Sequence, residues 1–451
     1  MNPQQGRVEY KDIPVTVNRD IDILFVIDDS PSMLDKQTNL ARNFPDFINV
    51  LQTIPGGLPN VHLGVASSDM GTAVQGGSPA PSIGSGQGSC SNTKGKNGAL
   101  QTGMAGGTVT GAFISDVSAG PGMPRQTNYG DPSTLATVFG QMAQIGANGC
   151  GFEQHLEAAK TALSPSTAAN QGFLRQNAYL AIIFIADEDD CSIKDGGLLG
   201  PESPALGPLQ SFRCNRYGHI CDQGGADPTA MNQVGAKGQC HPADNSQYLT
   251  KVSEYVTYFK GLKADPDSVI VAGIMGTTTP YSVELRSPPG GGTAQPAVAH
   301  SCSYTGANGL EVADPPTRIQ FLLDQFPGRS TFTTICQTNL SDGLQLIAQL
   351  LKAVIGDPCI TGNLADVDPT KDGDQYDCSV SFVQDQGKPT QKETVIPACN
   401  DARSNKPCWY LEMDPECTEG EHVKLKVEGQ ESAPPNTHII ANCVTGDDAM
   451  P

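Results

Sequence analysis

Basic runs, aromatic side chains and membrane-length apolar stretches are all scarce in this chain. Lys and Arg together number 28 against 48 Asp and Glu, a formal net charge of −20. Phosphate backbones need clustered cations, so nucleic acid is excluded as a partner. No basic run exists to hold anionic lipid either. No apolar stretch reaches the roughly 20 residues of a membrane-crossing helix. Aromatics make up only 6% of 451 residues, with a single Trp, which fits long loops hung on a modest scaffold. Enzyme signatures are missing as well. There is no H-E-x-x-H, no G-x-S-x-G, no Walker A loop and no G-x-G-x-x-G opening a helix after a strand. The seven His residues include none next to an obvious nucleophile. These absences point to a binding protein and away from an enzyme.

What the chain does hold is Gly (50), Pro (34) and Cys (14). The cysteines, at 90, 150, 191, 214, 221, 240, 302, 336, 359, 378, 399, 408, 417 and 443, lie mostly in Gly/Pro/Asn-rich loops. An even count in such loops predicts disulfides formed in an oxidising compartment. Met1–Tyr10 is polar and has no export signal, so the expectation is that Met1 begins a trimmed chain. A lipid anchor lost with the trimmed N-terminus is compatible with that expectation.

Length alone suggests two domains. After a 1–20 extension, Ile21–Ile27 is an apolar run ending in Asp, as a buried parallel strand would. Leu40, Phe44, Phe47, Ile48 and Leu51 recur at helical spacing, and Pro45 is expected to kink or delimit that helix. Strands follow at Val61–Ser67, at Gly111–Val117 (an antiparallel edge), at Tyr179–Ala186, at Val269–Met275 and at Thr331–Cys336. Helices fall at Thr134–Ile145, Phe152–Leu163, Tyr248–Lys260, Thr317–Gln325 and Asp342–Ile355. Alternating strands and helices imply an α/β fold, a mainly parallel sheet covered on both faces. It spans 21–357, with insertions near 71–107, 191–246 and 277–315. Residues 358–451, with six Cys and no convincing helix, read as a small disulfide-rich β module. Eight cysteines precede it, so each part can close its bridges within itself.

Open α/β sheets place ligands at the carboxyl ends of strands, and two acidic loops fall there. After Ile27 comes Asp28-Asp29-Ser30-Pro31-Ser32. In an extended loop alternate residues point to one side, so Asp28, Ser30 and Ser32 can face a common centre. After Ala186 comes Asp187-Glu188-Asp189-Asp190, where Asp187 supplies a second carboxylate. These are hard oxygen donors, suited to Mg2+, Ca2+ or Mn2+. Glu188, Asp189 and Asp190 are read as raising the local negative potential or binding water on the ion. Two other clusters are set aside. Cys214, His219, Cys221, Cys240 and His241 match no trusted zinc spacing. Asp366, Asp368, Asp372, Asp374 and Asp377 lack the closing Glu of a calcium loop.

The stretch DILFVIDDSPSM resembles the metal-ion-dependent adhesion site of von Willebrand factor A (VWA) domains, and FIADEDD resembles the strand carrying its later Asp. The resemblance implies a doubly wound fold over 21–356, a cation at the top of the sheet held by Asp28, Ser30, Ser32 and Asp187, and recognition of a protein or cell-surface ligand, in part through an acidic side chain. The motifs GCGFEQ and DEDDCS and the IPACN…PCW tail are similar to VWA surface lipoproteins of myxobacterial type, which implies an adhesin at the cell surface or secreted. One departure stands out. Where the family usually offers a Thr, this chain reads Gly149-Cys150-Gly151-Phe152-Glu153. Cys150 is better suited to a disulfide, with Cys90 a candidate partner. Glu153 then either replaces the Thr as a ligand, favouring Ca2+, or is a first-turn helix acid.

Overall fold

The computed structural model describes residues 7–445 apart from 15–17, 55, 73–89, 91, 121, 224–226, 288–290, 357, 367–369, 371–375, 387–388, 416, 418–419, 431–432 and 435–436. Asp368, Asp372 and Asp374 lie outside the described residues. The chain divides into two compact units, one of residues 20–50 and 59–350, the other of 1–19, 51–58 and 351–451.

The larger unit is mixed α/β around a seven-stranded sheet. Its strands are β2 (Asp20–Ile27), β3 (Asn60–Ser67), β4 (Ile114–Val117), β5 (Gln126–Thr127), β6 (Tyr179–Ile185), Val269–Met275 and Ser330–Thr334. In space they run Ser330–Thr334, Val269–Met275, β6, β2, β3, β4, β5. The first five are parallel. β4 and β5 pair antiparallel at the edge, so the expected edge strand is there but β5 lies outside it. β6 and Val269–Met275 are buried at every position, as continuous apolar runs must be when both sheet faces are covered.

The seven helices of the described residues are α1 (Leu34–Gln52), α2 (Leu135–Met142), α3 (His155–Ala162), α4 (Phe212–Gly218), α5 (Val252–Lys260), α6 (Thr317–Asp324) and α7 (Ser341–Gly356). Side chains alternate across a strand, and β2 shows it. Leu24 and Val26 join a core with Leu156 of α3, Tyr255 and Phe259 of α5, and Leu322 of α6. Phe25 points the other way, its ring 5.3 Å from Phe44 and 5.8 Å from Phe47 of α1, and 5.0 Å from Phe139 of α2.

α1 runs through Pro45, so of the two expected effects the proline does not delimit the helix. Proline cannot donate to the carbonyl four residues back, which here belongs to Ala41. Gly140 of α2 packs on that carbonyl so closely that a Cβ at 140 would lie 3.0 Å from it. Pro45 itself is exposed, so the helix continues with its apolar face buried and the freed carbonyl covered by a neighbour.

In the smaller unit, residues 7–14 are not a free extension. β1 (Arg7–Pro14) pairs antiparallel along its whole length with Thr437–Thr445. That strand pairs in turn with Cys378–Gln384, and Cys378–Gln384 with Lys392–Ile396. Trp409 packs with Ile13, Val380, Phe382, Leu425 and Ile439 in its core. All fourteen cysteines are bridged. Cys90–Cys150, Cys191–Cys214, Cys221–Cys240 and Cys302–Cys336 close the larger unit. Cys359–Cys417, Cys378–Cys443 and Cys399–Cys408 close the smaller. Among the described residues no helix is long and apolar enough to cross a membrane.

Candidate metal centre

Parallel pairing of β6, β2 and β3 brings three strand ends together. The Asp28 N–H donates to the Ile185 carbonyl (2.9 Å) and the Ser68 N–H to the Ile27 carbonyl (3.1 Å). The loop after β2 is thereby held between the ends of β6 and β3.

Asp28 is fully buried. Its Oδ1 accepts the Ser30 N–H at 2.7 Å, folding the loop back on itself, and the Ser68 hydroxyl at 3.4 Å. Its Oδ2 has no hydrogen-bond partner. The hydroxyl oxygens of Ser30 and Ser32 lie 3.0 Å apart. Ser30 is buried and Ser32 exposed, so the loop has one open side. Asp187, 2% exposed, receives the Lys36 ammonium on Oδ2 at 2.9 Å, and its Oδ1 has no partner. A buried carboxylate oxygen without a donor is costly, and this corner holds two.

The electrostatics agree. Burial, then the neighbouring Asp187, pushes the Asp28 carboxyl well above the usual carboxylate range. Burial followed by Glu188 and Asp28 raises Glu153 in the same way. Glu188 is raised to about 8 by burial, Asp187 and Asp314. Carboxyls raised in this way favour the protonated form unless a positive charge comes near.

Glu153 is 1% exposed and precedes α3. Its carboxyl meets that of Glu188, and with Asp314 the two line a cavity of about 20 Å3, space for about one water. Asp28, Asp187 and Glu153 do not bring three ligand oxygens within 4.8 Å of one another. Among the described residues the one trio that close is Asp69, Cys90 and Cys150, whose sulfurs are bonded to each other. Asp28 Oδ2 and Asp187 Oδ1 are buried without a donor, and the Ser30 and Ser32 hydroxyls lie on the same loop as Asp28. The unpartnered carboxylate oxygens suit a hard cation that keeps some water.

Several residues missed in the sequence build this corner. Lys36 of α1 bridges Asp187 to Glu311 Oε2 (2.9 Å) and donates to the Ser32 carbonyl (3.1 Å). Gln37 donates to the carbonyls of Asp28 (2.9 Å) and Gly146 (2.8 Å) and accepts the Ile145 N–H, tying the 145–149 loop to the site. The Gly149 N–H donates to the Asp29 carbonyl at 2.7 Å. A Cβ at 149 would run into the Asp29 carboxylate, so only glycine fits. Asp29 itself pairs with Lys96 and accepts the Ser67 hydroxyl at 2.6 Å. His155, fully buried, lies 3.8 Å from Asp28 Oδ2, and neither ring nitrogen has a partner.

The remaining acids after β6 are structural. Asp190 accepts the Leu156 N–H at the start of α3 and pairs with Arg318 Nε at 3.0 Å. Asp189 accepts the Arg318 and Ile319 N–H groups of α6 and meets His219 Nε2 at 2.8 Å. Their oxygens are spent on helix starts and buried pairs, which corrects the expectation that they bind water on the ion and leaves only their negative charge beside the site.

No family model matches this chain, and no curated protein matches it. Solved structures to which it is similar include the conserved hypothetical protein BatB from Bacteroides thetaiotaomicron (9% identity, TM-score 0.29, 74% of this chain and 98% of that one). Another is a von Willebrand factor type A protein from Catenulispora acidiphila (9%, 0.28, 99% and 66%). A third is the pilus adhesin RrgA from Streptococcus pneumoniae (11%, 0.28, 98% and 58%). Scores of this size reflect slight superposition and carry no weight for function.

Proposed function

We propose that the chain is a VWA-type binding protein, doubly wound, that recognises a protein or cell-surface ligand through a divalent cation. Mg2+, Ca2+ or Mn2+ would be held by Asp28, Ser30, Ser32 and Asp187. The observation that carries this reading is the pair of buried, unpartnered oxygens, Asp28 Oδ2 and Asp187 Oδ1, at adjoining strand ends. Glu153, facing Glu188, adds charge beside the ion. When bound, the ion supplies an electrophilic position for a partner's carboxylate oxygen. Asp28 and Asp187 fix where it sits, Ser30 and Ser32 complete its near side, and the exposed Ser32 edge leaves approach open. The seven bridges suit an exported location, secreted or at the surface, with binding and no turnover as its role.

Burial of Asp28 and Asp187 favours a second reading, in which the ion only locks the loops of an envelope component. A pull-down from envelope extract separates the two. Under the first, EDTA and Asp28→Ala each abolish partner capture. Under the second, EDTA lowers the melting temperature and leaves capture intact.

A further inference from the structure

We infer that the insertion carrying α4 contains a carboxylate-binding pocket built on Arg216, separate from the cation site and independent of it. In a chain of net charge −20, Arg216 is 3% exposed. Among the described residues no carboxylate lies within 4.0 Å of its guanidinium and no acceptor takes its N–H groups. Its Nε is buried without a partner, and the Tyr217 ring lies 5.4 Å from Cζ. Burying a guanidinium in this state costs free energy unless an anion completes it.

The surroundings are shaped for such an anion. Arg216 lines a cavity of about 60 Å3 together with Arg213, Leu206, Pro208, Phe212 and Pro296. Arg213 sits one turn earlier on α4 and is 1% exposed. It is spent on the wall: Nε donates to the Pro208 carbonyl (2.7 Å), Nη1 to those of Leu198 (2.6 Å) and Gly200 (2.7 Å), and Nη2 to that of Gly207 (2.8 Å). Carbonyls satisfy its donors but leave its charge, so the pocket holds two buried positive charges; Glu202 acts on Arg213 and Asp227 on Arg216 only from a distance, with no ion pair formed. Gly207, at φ +71°, makes room, since a Cβ there would lie 2.9 Å from Arg216 Nη1.

A guanidinium edge pairs with a planar carboxylate through two parallel hydrogen bonds. Leucine, prolines and phenylalanine around it accept a short apolar group. The same edge can pair with phosphate, but a cavity of about 60 Å3 walled by Leu206, Pro208, Phe212 and Pro296 suits a small anion with an apolar end better than a fully hydrated phosphate. The ligand class is therefore a carboxylate bearing a small apolar substituent, either a free short-chain acid or an acidic side chain of a peptide.

Calorimetric titration tests this with sodium propionate, with a capped tripeptide Gly-Glu-Gly and its Gln counterpart, and with sodium chloride. Saturable propionate binding with Kd about 1 mM is expected of the wild type, weakened at least tenfold in Arg216→Gln. Leu206→Phe fills the cavity with the guanidinium kept, and the same loss is expected there. It remains informative where Arg216→Gln fails to fold. Binding of the Glu peptide but not the Gln peptide assigns the pocket to a peptide carboxylate, and propionate alone to a free acid. No saturable propionate binding, equal binding by both variants, or chloride bound as tightly as propionate overturns the proposal.

Discussion

At Asp28, ion binding and folding are opposed. In the cation-free fold Asp28 must either take up a proton or stay charged with one oxygen unpartnered, and either state costs stability at neutral pH. Asp28→Asn keeps the shape and removes the charge, so in EDTA it should melt about 2–4 °C above wild type, and in saturating Ca2+ below it. Thermal denaturation in the two buffers reads this directly, and a lower melting point in EDTA counts against the account. Lys36 is a built-in competitor, its ammonium already on Asp187 at 2.9 Å. Lys36→Met should tighten cation binding by roughly tenfold, read by metal titration. Unchanged affinity would mean that Lys36 moves aside without cost.

The loop after β6 holds the sheet's two neighbouring helices to the site. Arg318, 0% exposed, pairs with Asp190 and donates to the Thr250 carbonyl at 2.7 Å. Arg318→Met leaves Asp190 buried without its cation and should cost about 3–5 kcal/mol, measured by denaturant unfolding. Much of this element level was legible in the sequence. Val269–Met275 falls on its expected bounds, and β6 within one residue, because both-faces-buried strands write their burial into unbroken apolar runs. The placement of Asp28, Ser30, Ser32 and Asp187 just beyond strand ends was legible for a related reason, since each follows such a run. The cover that Gly140 gives the freed Ala41 carbonyl was hidden because the two lie far apart in sequence. β1 was hidden because its partner is Thr437–Thr445 at the other end of the chain. The work of Lys36, Gln37, His155 and Asp189 depends likewise on contacts that no local pattern records.

For the molecule as a whole, the acids around the site make cation-free stability depend on pH. Glu188 has its pKa raised from 4.5 to about 8, and Asp28 and Glu153 are raised too. Between those limits the native state keeps protons that the unfolded chain has released. Stability in EDTA should therefore fall as pH rises from about 4.5 to about 8. A bound cation takes the place of those protons, so saturating Ca2+ should flatten the slope. Melting temperatures at pH 5 and pH 8, with and without Ca2+, check both halves. The most direct test of the cation site itself is calorimetric titration of Ca2+, Mg2+ and Mn2+ into EDTA-stripped wild type, Asp28→Ala and Asp187→Ala. The account predicts one saturable site per chain for at least one of the three ions, lost in both variants. Wild type that takes up none of them, or variants that bind as wild type does, would contradict it.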